Sequence, residues 1–67
     1  MTGLPLATVE RIMRTAGAER ISNDAVAAVA ERAEALMKDL TKEAVVLSKH
    51  AGRKTVMEDD VRLASKD

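Results

Sequence analysis

The chain reads as an all-α protein: a short helix, a long helix and a second short helix joined by two loops. Three observations predict this. Residues Asn23 to Ala51 contain neither Pro nor Gly, and apolar residues recur along them at steps of three and four, the spacing that lines up side chains on one helix face. That stretch is rich in Ala, Leu, Glu, Lys and Arg, which favour helix. Gly17 and Gly52 stand just beyond amphipathic runs, where a left-handed helix stop belongs.

The elements follow in order. Residues 1–4 are expected to be a loose end. Pro5 suits the first position of a helix, where its missing N–H costs nothing. Leu6, Val9, Ile12 and Met13 then form an apolar face with Glu10, Arg11 and Arg14 beside it. Gly17 ends this helix, which at about three turns would be marginal alone. Ala18 to Ile21 make a connecting loop. Ser22 or Asn23 can cap the long helix, and Asp24 suits the positive end of its dipole. Its stripe is Val26, Val29, Ala33, Leu36, Leu40, Ala44, Leu47 and Ala51, widened by Ala30, Met37 and Val45. Such a helix is about 45 Å long at 1.5 Å per residue. A compact 100-residue domain is only about 26 Å across, taken as twice its radius of gyration. A chain of 67 residues cannot cover that stripe alone, so another chain is expected to cover it. The second loop runs from Gly52 to Met57. Its Arg53-Lys54-Thr55-Val56 alternates polar and apolar and could pair as a brief strand. Thr55 and Glu58 have the spacing of a capping box, with Met57 as the other candidate boundary. The last helix is expected from Glu58 to about Lys66.

Composition narrows the function. The length suits one small domain, residues 1–67, whose core needs help from disulfides, metals or oligomerisation. There is no Cys and no aromatic residue, so the core is aliphatic and no thiolate site exists. Absence of Cys suits a reducing cytoplasm. No apolar run approaches a membrane span, and the N-terminus lacks a basic-then-apolar signal. His50 is the single histidine, with no second ligand type to complete a metal set. No nucleophile–base pair or phosphate loop is present, which speaks against an enzyme. No cofactor and no small-molecule substrate are expected. Net charge is zero, 11 bases against 11 acids, which on its own speaks against a strongly basic nucleic-acid binder. The distribution is uneven, however. No acid occurs between Glu43 and Glu58, the window that holds Lys49, Arg53 and Lys54.

Four blocks then stand out in order: Leu4-Pro5-Leu6-Ala7, Ala16-Gly17-Ala18-Glu19-Arg20-Ile21-Ser22, Lys49-His50-Ala51-Gly52-Arg53-Lys54-Thr55-Val56, and Glu58-Asp59-Asp60-Val61. With these, the chain resembles the archaeal histones along nearly its whole length. The resemblance implies the histone fold, in which two chains embrace head to tail as a handshake dimer, with each first loop bridged to the partner's second loop. It also implies binding to double-stranded DNA without catalysis, and a place on the chromosome in the cytoplasm, the nucleoid. Histones engage DNA through phosphates and by Arg side chains entering the minor groove.

By that resemblance, Arg11 corresponds to the central minor-groove arginine and Thr55 to the threonine that steadies it from the partner's loop. Arg14 points toward the same backbone. Arg20 and Ile21 of the first loop meet Arg53 and Lys54 of the second at each end of the dimer. Leu47, His50, Asp60 and Leu63 correspond to a dimer–dimer contact that builds tetramers or longer polymers. For Asp60 the residues leave a second reading open, an ion pair with Arg53 of its own chain. The chain departs from typical relatives in its neutral charge, in Met57-Glu58 after the second loop, and in its Ala64-Ser65-Lys66-Asp67 end. Fewer phosphate neutralisations predict weaker, less salt-dependent binding. Two other functions remain open: an interaction subunit that heterodimerises with a more basic partner, and a protein that bridges DNA without wrapping it.

Overall fold

The computed structural model describes residues 2–66. It contains α1 (Leu6–Thr15), α2 (Asn23–His50) and α3 (Glu58–Ala64) in the short–long–short order expected, and no strand among the described residues. Arg53 to Val56 accordingly lie in irregular structure, and the alternation there finds no pairing edge among the described residues. None of these helices is long and apolar enough to cross a membrane. Contacts within the chain divide it into two units, one up to Ala35 and one from Leu36 onward, with α2 running through both.

In the first unit, α1 starts one residue later than its Pro suggests. Pro5 has ψ 114°, an extended value that keeps it outside the helix as the N-cap, while its carbonyl accepts the Val9 N–H at 3.2 Å. Residues 2–4 are held in place, which corrects the expectation of a loose end there; Met1 lies outside the described residues. Thr2 Oγ1 donates to Glu34 Oε1 at 3.2 Å, the Gly3 N–H donates to the same oxygen at 3.3 Å, and the Leu4 N–H donates to Thr2 Oγ1 at 3.1 Å. Leu4, Met13 and Ile21 pack against a small core of Val9, Val26 and Ala30. Ser22 is the cap that α2 uses: its Oγ accepts the Ala25 N–H at 3.1 Å.

Both interior helix ends close in the same way. After α1, the Gly17 N–H donates to Arg14 O at 2.9 Å and the Ala18 N–H to Met13 O at 3.2 Å. After α2, the Gly52 N–H donates to Lys49 O at 2.9 Å and the Arg53 N–H to Ser48 O at 3.0 Å. This paired pattern is the Schellman motif, which needs a left-handed residue; Gly17 has φ 112° and Gly52 φ 75°. Helix α2 therefore ends at His50, with Ala51 as its cap residue.

In the second unit, Ala44, Ser48 and Asp60 are buried. Ser48 satisfies its hydroxyl by donating to Val45 O at 2.8 Å. Helix α3 begins after Met57, so the Thr55–Glu58 box does not form. Met57 offers no capping side chain. Asp60 reaches back instead and accepts the Met57 N–H through Oδ2 at 2.8 Å. At the other end Ser65 closes the helix, two residues short of the expected stop, with its N–H on Val61 O at 2.9 Å.

The described residues bury no apolar side chain larger than valine, while Leu6, Ile12, Leu36, Met37, Met57 and Leu63 are exposed. Leu36 and Met37, in the middle of the α2 stripe, are 55% and 47% exposed. Large apolar side chains left exposed in mid-helix, as Leu36 and Met37 are, mark an interaction face.

Candidate nucleic-acid interface

Each functional side chain is positioned by a helix face or by one of the two glycine turns. On α1, Arg11 is exposed and its side chain makes no hydrogen bond or ion pair with the described residues. One turn on, Arg14 is fully engaged. Its Nε and NH2 donate to Glu10 Oε2 at 3.2 and 2.8 Å, and its NH1 donates to Glu19 O in the first loop at 3.0 Å. Arg20 is exposed and has no side-chain partner among the described residues. Ile21 faces the opposite way from a surface contact: it is half-buried against Val9, Val26 and Ala30.

The second loop is held by a fork. Arg53 NH2 donates to Asp60 Oδ1 at 2.9 Å, and NH1 donates to Asp60 Oδ2 at 3.0 Å and to Thr55 O at 2.9 Å. Two parallel N–H bonds to one carboxylate fix geometry as well as charge. The Asp60 side chain is 4% exposed and that of Arg53 34%. The Arg53 bonds, followed by that from the Met57 N–H, hold the Asp60 carboxyl below its ordinary range against the opposing effect of burial. The same pair raises Arg53, chiefly through its hydrogen bond to Asp60. A guanidinium has five N–H donors; this geometry spends three of them within the chain and leaves the others for an outside acceptor. Lys54 and Thr55 follow, both exposed, and the Lys54 side chain is unpaired among the described residues.

The residues assigned to a dimer–dimer contact differ in access. Leu47 is half-buried, and His50 and Leu63 are exposed. His50 lines an open hollow of about 280 Å³ with Val46 and Lys49. Asp60 is committed to its own chain, the second of the two readings left open above, although a carboxylate can accept a further bond. The structure thus joins Arg14 to the first loop and Arg53, Thr55 and Asp60 to one another. Sequence reasoning did not single out Glu10, although its spacing four residues before Arg14 was a legible signal for a helical ion pair.

Comparison with known proteins decides the family. Residues 2–64 match the model of the family described as histone-like transcription factor (CBF/NF-Y) and archaeal histone. The chain belongs to this family. It is 50% identical to one of the subunits of archaeal histone HAN1 from Thermococcus zilligii over 66 residues, 98% of each chain. It is 42% identical to probable archaeal histone 3 of Methanocaldococcus jannaschii over 64 residues, 96% of each chain. The three helices are those of the histone fold, and the chain is a DNA-binding chromatin protein of the archaeal-histone type.

Proposed function

We propose that two copies of this archaeal histone pair through the apolar stripe of α2 into a handshake dimer that wraps double-stranded DNA with little sequence preference. In that dimer, Arg20 and Ile21 of one chain meet Arg53, Lys54 and Thr55 of the other at each end. Ile21 contributes its backbone there, since its side chain belongs to the core. Arg11 enters the minor groove and Thr55 of the partner copy steadies it. Arg11, Arg20, Arg53 and Lys54 neutralise phosphates, and phosphate contacts carry no base information. Bendable sequence is the only feature such a dimer reads.

The observation that carries this reading is the second loop. It lies in a window without acids, it is stiffened by the Gly52 turn and the Arg53–Asp60 fork, and it offers Lys54 and Thr55 to solvent. Dimers then associate through Leu47, His50, Asp60 and Leu63 into tetramers or longer polymers, with His50 supplying a hydrogen bond to Asp60 across the contact. The protein is placed in the cytoplasm on the chromosome, with DNA and histone chains as its partners. Binding isotherms on a mixed-sequence duplex, for the parent and for Arg53→Ala/Lys54→Ala, test the DNA contact. The reading expects at least a tenfold loss in the variant at low salt. Equal affinity of the two proteins would refute it.

A second reading is favoured by the neutral charge. Here the chain pairs with a more basic histone, which supplies most of the phosphate contacts. One relative is itself named as a subunit. Mixing with a basic archaeal histone and measuring the mass of the complex separates the two: a mixed dimer formed in preference to either homodimer supports this second reading.

A further inference from the structure

Arg14 stands three residues after Arg11 on α1, a step that leaves the two side chains on one face about 4.5 Å apart along the helix axis. Arg11 is unpaired among the described residues, whereas Arg14 is bound at all three nitrogens: Nε and NH2 to Glu10 Oε2, NH1 to Glu19 O. The Glu10 acceptor is a carboxylate oxygen on the same helix face. A DNA phosphate oxygen offers a guanidinium an anionic acceptor of the same kind. Glu10 and phosphate therefore compete for one group.

We infer that Glu10 holds Arg14 in reserve, so that DNA must take the guanidinium from the carboxylate before Arg14 contributes to binding. This rests on the reading of α1 as a DNA-facing helix. Both side chains are about half exposed, 52% for Arg14 and 40% for Glu10. An exposed pair of this kind is weak, so the dense phosphate line of a duplex can displace it. Displacement leaves the Glu10 charge beside the phosphates, and it releases the Glu19 carbonyl that ties α1 to the first loop next to Arg20. Glu10 is thus a residue that sets affinity and salt dependence without touching DNA favourably itself. Of the basic residues on α1, Arg11 binds directly and Arg14 binds conditionally.

The test is a double-mutant cycle on the full chain, Glu10→Gln, Arg14→Ala and the combination, titrated onto a fluorescein-labelled mixed-sequence duplex across a salt series. Circular dichroism confirms that helicity is kept in each variant. Glu10→Gln is expected to bind severalfold tighter, with a salt slope steeper by up to about 0.9 per chain, the increment of one further phosphate neutralised. Arg14→Ala is expected to weaken binding at least threefold more in the Glu10→Gln background than in the parent. An equal loss in both backgrounds overturns the inference, because the gain would then come from the Glu10 charge alone. No gain for Glu10→Gln overturns it as well. Lys54→Ala, whose side chain is unpaired among the described residues, separates the two failures. If it weakens binding while the cycle shows no coupling, DNA binding stands and the reserve role of Glu10 falls. If the parent binds no duplex at any salt, both fall.

Discussion

At the scale of single residues, Asp60 does the most. Its carboxylate accepts from Arg53 twice and from the Met57 N–H once, so one side chain fixes the second loop and starts α3. This has a signed pH consequence. Pairing holds the Asp60 carboxyl below its ordinary value of 3.8. Its stabilisation is therefore complete above that value and is lost as pH falls through the lower, folded one. Thermal melts should show Asp60→Asn below the parent at pH 7, with the gap narrowing as pH falls below 3.8 toward the lowered folded value. A gap that stays constant with pH would assign the effect to packing and not to charge. Ser22 offers a second residue-scale test: Ser22→Ala removes the Ala25 cap and should cost about 1 kcal/mol, read from chemical denaturation. Much at this scale is legible in the sequence. Ser22 is one of two cap candidates, with Asn23, that type and place allow, and the structure uses Ser22; Asp60–Arg53 is likewise one of two readings that the residues allow. The Thr2–Glu34 contact is not legible, because those residues are 32 positions apart and no periodic pattern links them. The start of α3 stays open between Thr55 and Met57 for a different reason: the capping work is done by Asp60, a side chain inside the helix.

At the scale of elements, the two glycine stops define where the loops begin. Beyond the adjoining residues, no described atom lies within 4 Å of where a Cβ would stand at Gly17 or Gly52, so within the chain a side chain there meets chiefly backbone strain. Gly52→Ala is expected to cost about 1–2 kcal/mol. Gly17→Ala should cost more, because φ 112° lies further from the left-handed region that L-residues tolerate. Urea midpoints of the two variants, compared with the parent, check the order. Reversed order would mean that the loops relax into another turn. These stops are readable from sequence because Gly follows an apolar-periodic run in both places. The start of α1 and the end of α3 each fall a residue or two from expectation, for opposite reasons. Pro5 satisfies a cap as well as a first turn, and Ser65 ends α3 by hydrogen bonding to its own preceding turn, which leaves no mark on the hydrophobic pattern.

At the scale of the whole molecule, the question is what covers α2. Within the described residues nothing larger than valine is buried among the apolar side chains, and Leu36 and Met37 stand exposed at mid-helix. A symmetric dimer uses the same patch twice. In the proposed homodimer, Leu36→Glu removes two leucines from the seam; as each is already about half covered within its own chain, the loss is about 1.5–3 kcal/mol together, or tenfold or more in dimer dissociation. Sedimentation equilibrium should find the variant monomeric at concentrations where the parent is dimeric. A parent that is itself monomeric throughout would point to a different histone chain as the partner. The need for a partner is visible in the sequence, in a helix too long for its chain. Which loops the partner would bring together comes only with the family likeness, because pairing between chains leaves no periodicity in either one.

The most direct test of DNA wrapping by a homodimer is micrococcal nuclease digestion of plasmid DNA loaded with the protein, at low and near-physiological salt, beside Arg53→Ala/Lys54→Ala. A ladder of protected fragments stepping by one dimer footprint, absent in the variant, is the predicted result. No protection of any length at either salt would contradict it.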